Sequence, residues 1–104
     1  MTQKPLEGIR VVDLTRVLAG PFCTLLLKDL GAEVIKVETP VNGDDSRHFG
    51  PFLDEEHQKS AYFMSVNAGK KSVTLDLKKS SGKKVLEDLV HMHQQYPLFY
   101  LEVI

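Results

Sequence analysis

The segment Gly8-Ile9-Arg10-Val11-Val12-Asp13-Leu14-Thr15-Arg16-Val17-Leu18-Ala19-Gly20-Pro21 decides how the chain reads. Residues 9–14 are almost continuously apolar, the pattern of a strand covered on both faces. A short loop follows, and Pro21 then sits where a helix should start, a position that suits its fixed φ and missing N–H. The helix carries Phe22, Leu26 and Leu30 at four-residue spacing, which predicts one buried face. Cys23 and Leu27 are expected beside that face, with Thr24, Lys28 and Asp29 turned away. Gly31 is placed to end the helix in a left-handed conformation. Glu33-Val34-Ile35-Lys36-Val37-Glu38 then reads as a second strand, closed by Pro40. The unit is strand–helix–strand. It predicts an α/β, Rossmann-like parallel sheet whose ligands lie at the C-terminal ends of the strands.

Outward from this unit the pattern loosens. Residues 41–59 form a long polar excursion rich in Gly, Asp, Glu and Pro, a length that marks a functional or mobile loop. Tyr62, Phe63 and Met64 predict a short helix over residues 60–67. Val73, Leu75 and Leu77 alternate with Thr74 and Asp76, a strand signature. Val85, Leu86, Leu89 and Val90 then form the apolar face of another helix. The segment from His91 to Gln95 is polar, and residues 97–104 are apolar and aromatic, suitable for an extra strand.

The whole is 104 residues, 42% hydrophobic and 26% charged, enough for one domain. A net charge of -1 argues against a broad electrostatic nucleic-acid binder. No apolar run reaches the length of a membrane span. The single cysteine, Cys23, excludes an internal disulfide and reads as a packed side chain.

The loop before Pro21 meets a helix N-terminus, where N–H groups and the helix dipole favour an anion. Gly20 stands alone where a dinucleotide fingerprint needs three spaced glycines, which argues against NAD. Glu38 therefore reads as a solvated strand end, and Asp13 as a structural residue that orients Thr15 or Arg16 or accepts a loop N–H. The pairs Lys70-Lys71, Lys78-Lys79 and Lys83-Lys84 read as solvated faces, with phosphate contact as the sharper alternative. His91 and His93 lack the further ligands a metal would need, so no metal site is expected.

Several blocks carry a family resemblance. Residues 5–15, Ala19-Gly20-Pro21-Phe22-Cys23, residues 30–38, Gly43-Asp44-Asp45-Ser46-Arg47 and Lys70-Lys71-Ser72-Val73-Thr74-Leu75-Asp76-Leu77-Lys78 resemble, in order and spacing, the opening of the class III CoA-transferases. The likeness covers about residues 5–90, and residues 91–104 depart from it as a divergent tail. Within the family it points to the animal branch that moves CoA from succinyl-CoA to glutarate. The resemblance implies a segment that binds coenzyme A, with acyl-CoA and a carboxylic acid as substrates and no metal, nucleic acid or membrane partner. By analogy Leu18 and Ala19 touch CoA from the first loop, and Leu75, Asp76, Leu77 and Lys78 line its site. Thr39 stands where relatives often carry an arginine for the CoA phosphates.

The family works by covalent catalysis, in which an aspartate carboxylate becomes an aspartyl-CoA thioester. That aspartate lies downstream of the third strand and its helix, so no catalytic residue is assigned here. The 104 residues are expected to be inactive alone. The resemblance further implies an interlocked homodimer and a mitochondrial location, with the cytoplasm as alternative. Acyl-CoA racemase is the in-family alternative, against which the long insert at residues 41–59 weighs. A non-catalytic product that binds CoA or the full-length enzyme is the rival from another class.

Overall fold

The computed structural model describes residues 3–91 and 98–101. Strand β1 (Arg10–Asp13) leads into helix α1 (Ala19–Asp29) and strand β2 (Glu33–Glu38). A 3₁₀ turn (Asp45–His48) interrupts the following polar segment, and helix α2 (Ala61–Asn67) returns the chain to strand β3 (Lys71–Thr74). Helix α3 (Ser80–His91) and strand β4 (Leu98–Leu101) complete the described elements. The strands pair in parallel in the order β3-β2-β1-β4. The fold is α/β with a Rossmann-like parallel sheet, as the strand–helix–strand reading predicts.

Alternation along the strands sorts the sheet into two faces. Val11 and Val34 pack with Ala32 and α1's Leu27 on one side. Val12, Val37 and Leu75 pack with α3's Leu86 and Leu89 on the other. Asp13, Lys36 and Glu38 follow the same alternation onto the α1 face and are buried there. The sheet therefore carries an apolar layer on the α3 side and a row of paired charges on the α1 side.

Helix α1 turns the opposite way from the amphipathic reading. Gly20, Pro21 and Thr24 are its buried residues, while Phe22 is 50% exposed and Leu26 and Leu30 are exposed beside it. Cys23 is also exposed. The cause is Asp13, whose desolvated carboxylate needs donors. Thr24 Oγ1 supplies one at 2.6 Å, which pins the small side of the helix to the sheet. Gly20 permits the approach, since a Cβ there would lie 2.4 Å from Thr15 Cβ. Gly31, at φ +111°, takes the positive φ expected at the end of the helix. His93, weighed as a metal ligand from the sequence and set aside, lies outside the described residues.

Candidate functional site

Three strand ends open into one cleft of about 540 Å³. Leu14, Thr15 and Arg16 enter it after β1. Val37, Glu38, Thr39, Pro40, Gly43 and Asp44 line it from β2 and the turn beyond. Leu75, Asp76, Leu77 and Lys78 close it after β3. This is the C-terminal edge of a parallel sheet, where successive loops diverge and leave a crevice. Of the residues singled out from the sequence, Thr39, Leu75, Asp76, Leu77 and Lys78 share this lining. Leu18 and Ala19 lie at the N-terminus of α1, exposed and outside the lining.

Beneath the cleft the polar side chains form a bonded floor. Asp13 Oδ1 accepts from the backbone N and the hydroxyl of Thr15, and Asp13 Oδ2 accepts from Thr24 and from Lys70 Nζ at 3.2 Å. Lys70 Nζ also donates to the Pro21 carbonyl and to Asn67 Oδ1, both at 2.9 Å. Its side chain is 2% exposed, which corrects its reading as part of a solvated face. Burial depresses the Lys70 pKa, and nearby Lys36 adds to that, against the pull of Asp13.

Lys36 and Asp44 form a second buried pair at 2.8 Å, with side chains 2% and 1% exposed. Burial would raise the Asp44 pKa, but bonds from Lys36 and Ser46 overcome this and hold it below the ordinary aspartate range. Glu38 is the third buried carboxylate. Arg47 grips it bidentately, Nε and Nη2 each at 2.7 Å, and Ser72 and the Asp44 backbone N also donate to it. Burial pushes its pKa up, yet these donors bring it to about 2. Glu38 is thus a structural anchor and not the solvated strand end expected from sequence. The Arg47 guanidinium stacks 3.9 Å from the Phe63 ring centroid, so α2 braces the same cluster.

The electrostatic result is specific. Glu38 and Asp44 reach the cleft lining already neutralised by Arg47 and Lys36. Asp76 Oδ1 accepts from the Lys78 backbone N. Arg16 and Lys78 are the cations of the lining, both exposed. Leu14, Val37, Leu75 and Leu77 provide apolar walls. A ligand that suits this surface has an apolar body and anionic ends. Among the described residues no group of three or more His, Cys, Asp or Glu side chains is placed to hold a metal ion. Nor is any described helix long and apolar enough to cross a membrane.

Lys36 and Arg16 were not singled out as site residues by the sequence reading. Lys36 was legible as a charge inside an apolar strand. Arg16 carried no signal beyond its place in a strand-to-helix loop.

Comparison with known proteins agrees with this architecture. The profile of CoA-transferase family III matches residues 6–92. The mouse succinyl-CoA:glutarate CoA-transferase is 55% identical over 89 residues, covering 85% of this chain and 20% of the relative. The succinate–glutarate CoA-transferase of Agrobacterium fabrum is 48% identical over 90 residues, covering 83% and 22%. The crystal structure of a CAIB/BAIF family protein from Brucella suis superposes with a TM-score of 0.78 at 46% identity, covering 88% of this chain and 24% of that one. The chain spans about a fifth of the length of these curated relatives.

Proposed function

The chain belongs to CoA-transferase family III, and from that membership we propose that the cleft beyond β1, β2 and β3 binds coenzyme A. The carrying observation is the pairing of apolar walls with Arg16 and Lys78 over a floor whose carboxylates are already neutralised. Coenzyme A is a nucleotide with several phosphate charges and a long weakly polar arm. Leu75, Leu77 and Val37 suit the adenine and the arm, while Arg16 and Lys78 suit the phosphates as point charges. Asp76 borders the same strand end. Thr39 offers a hydroxyl and no charge there. Leu18 and Ala19, at the N-terminus of α1 and outside that lining, are read as touching CoA from the first loop by analogy with the family.

The activity we propose for the protein that carries this segment is transfer of CoA from succinyl-CoA to glutarate. It is supported by the names of the relatives above. The chemistry proposed is covalent, through an aspartyl-CoA thioester. Asp13 and Asp44 are unsuited to be that nucleophile, because both are buried and fully engaged by hydroxyl, amide and ammonium donors. The segment's part is therefore to bind and orient the CoA moiety. The exposed stripe of Leu18, Phe22, Leu26 and Leu30 supports the further reading that α1 meets a second subunit in a homodimer. A mitochondrial location is part of the same reading.

Calorimetric titration of the chain with CoA tests the proposal. Binding that weakens with added salt and with Lys78→Ala is expected, and Thr39→Arg should strengthen it by adding a phosphate partner. No heat and no thermal shift at millimolar CoA would remove the reading.

A further inference from the structure

Asp44 does more than neutralise Lys36. Its carboxylate accepts the Val17 backbone N–H, 3.1 Å to Oδ1 and 3.3 Å to Oδ2. Val17 holds φ +70°, a left-handed conformation that a β-branched residue adopts only under constraint. Lys36 Nζ meanwhile donates to the Thr15 carbonyl at 3.0 Å. The two members of one buried ion pair therefore grip the residues on either side of Arg16. Thr15 is gripped a second time through Asp13, which takes its N–H and its hydroxyl. Asp44 is fixed in turn, since Glu38 accepts its backbone N–H at 2.9 Å and Ser46 donates to Oδ1 twice.

We propose that the Lys36–Asp44 pair is a bracket that forces the strained bend at Val17 and so presents the Arg16 guanidinium to the anionic ligand of the cleft. Asp44 is thus a positioning residue acting through Arg16. The inference rests on the CoA reading for the identity of the ligand, and on the geometry alone for the bracket. An exposed arginine on a relaxed loop would sample many positions, and ordering it on binding would cost affinity. The bracket meets that cost during folding.

The test is a double-mutant cycle on the chain, read by CoA titration. Asp44→Asn keeps shape and one acceptor oxygen but loses the ion pair. It should weaken CoA binding by roughly tenfold, the factor set by release of one strained residue. In the Arg16→Ala background the same substitution should change affinity by less than about twofold, because the group it positions is gone. Equal losses in both backgrounds would show that Asp44 acts through general stability, and no loss in either would show no role; each overturns the proposal. If Asp44→Asn does not fold, Val17→Pro replaces it in the cycle. That change removes the N–H and forces a negative φ while leaving Lys36 and Asp44 paired. If the unsubstituted chain binds no CoA, the CoA reading fails and the bracket is judged by amide exchange. Val17 N–H protected in the parent and exposed in Asp44→Asn supports it. Val17 N–H unprotected in the parent overturns it.

Discussion

Replacing Glu38 by Gln keeps the shape of the side chain but removes its charge and one of its two acceptor oxygens. Its side chain is 4% exposed, whereas that of Arg47 is 39% exposed. The arginine left behind can therefore be solvated, and the substitution does not strand a buried cation. Burial acts to raise the Glu38 pKa, but donation from Arg47, Ser72 and the Asp44 backbone lowers it from 4.5 to about 2. At 1.36 kcal/mol for each tenfold in proton affinity, that difference corresponds to about 3 kcal/mol of folding stability. The sign follows from the depressed value in the folded state. The stabilisation is complete above pH 4.5 and is lost as pH falls toward about 2. Glu38→Gln should therefore unfold about 3 kcal/mol more easily at pH 7, a fall of roughly 10–20 °C in Tm for a domain of this size. Urea unfolding of both proteins at several pH values between 2 and 7 measures the gap. It should be widest at neutral pH and close through the acid window. A gap that stays constant across that window would show that packing, not charge, is the origin, and would refute the reasoning.

Two further substitutions probe the same floor. Gly20→Ala would place a methyl group 2.4 Å from Thr15 Cβ and 2.6 Å from Cγ2, on a loop tied down by Asp13. It should destabilise by about 1–3 kcal/mol or more, and an unchanged urea midpoint would contradict the packing described. Lys70→Met deletes the counter-ion of Asp13 and should cost about 3–5 kcal/mol, since a buried carboxylate loses its charge partner. Adding Asp13→Asn should return part of that loss, and a single substitution that leaves the midpoint unmoved would show Lys70 to be dispensable.

What the sequence revealed and what it hid have one physical cause. Elements β1, α1 and β2 are held by apolar runs and by local punctuation at Pro21 and Gly31, and each of these signals is contiguous in the chain. Parallel topology then placed the cleft, because a strand–helix–strand unit fixes which strand ends face the ligand. The floor of the site depends on pairs that are remote in sequence, Asp13 with Lys70 across 57 residues and Val17 with Asp44 across 27. No local pattern announces such a pair. The orientation of α1 was misread for a related reason. The hydrophobic stripe of Phe22, Leu26 and Leu30 is the louder signal, but the buried carboxylate of Asp13 draws Thr24 and the close-packing Gly20 inward instead. A charge inside an apolar strand was the usable clue, at Asp13 and again at Lys36, since burying it requires partners that the rest of the fold must supply.

Apolar residues of similar volume would often stabilise a core as well as buried ion pairs do. They cannot, however, accept a backbone N–H on one side of a bend and donate to a carbonyl on the other. Asp13 grips Thr15, Asp44 grips Val17, and Glu38 grips Asp44, and each carboxylate is matched by Lys70, Lys36 or Arg47. The matching has a consequence for a ligand as negative as coenzyme A. Unpaired, three carboxylates below the cleft would repel phosphates through a medium of low dielectric constant. Paired, they shape the loop and add little to the field at the cleft, which is then set by Arg16 and Lys78 together with Asp76 in the same lining. The same residues thus fix the geometry of the site and keep its potential suited to an anion, so losing any one cation of the floor should weaken anion binding even where that cation never meets the ligand.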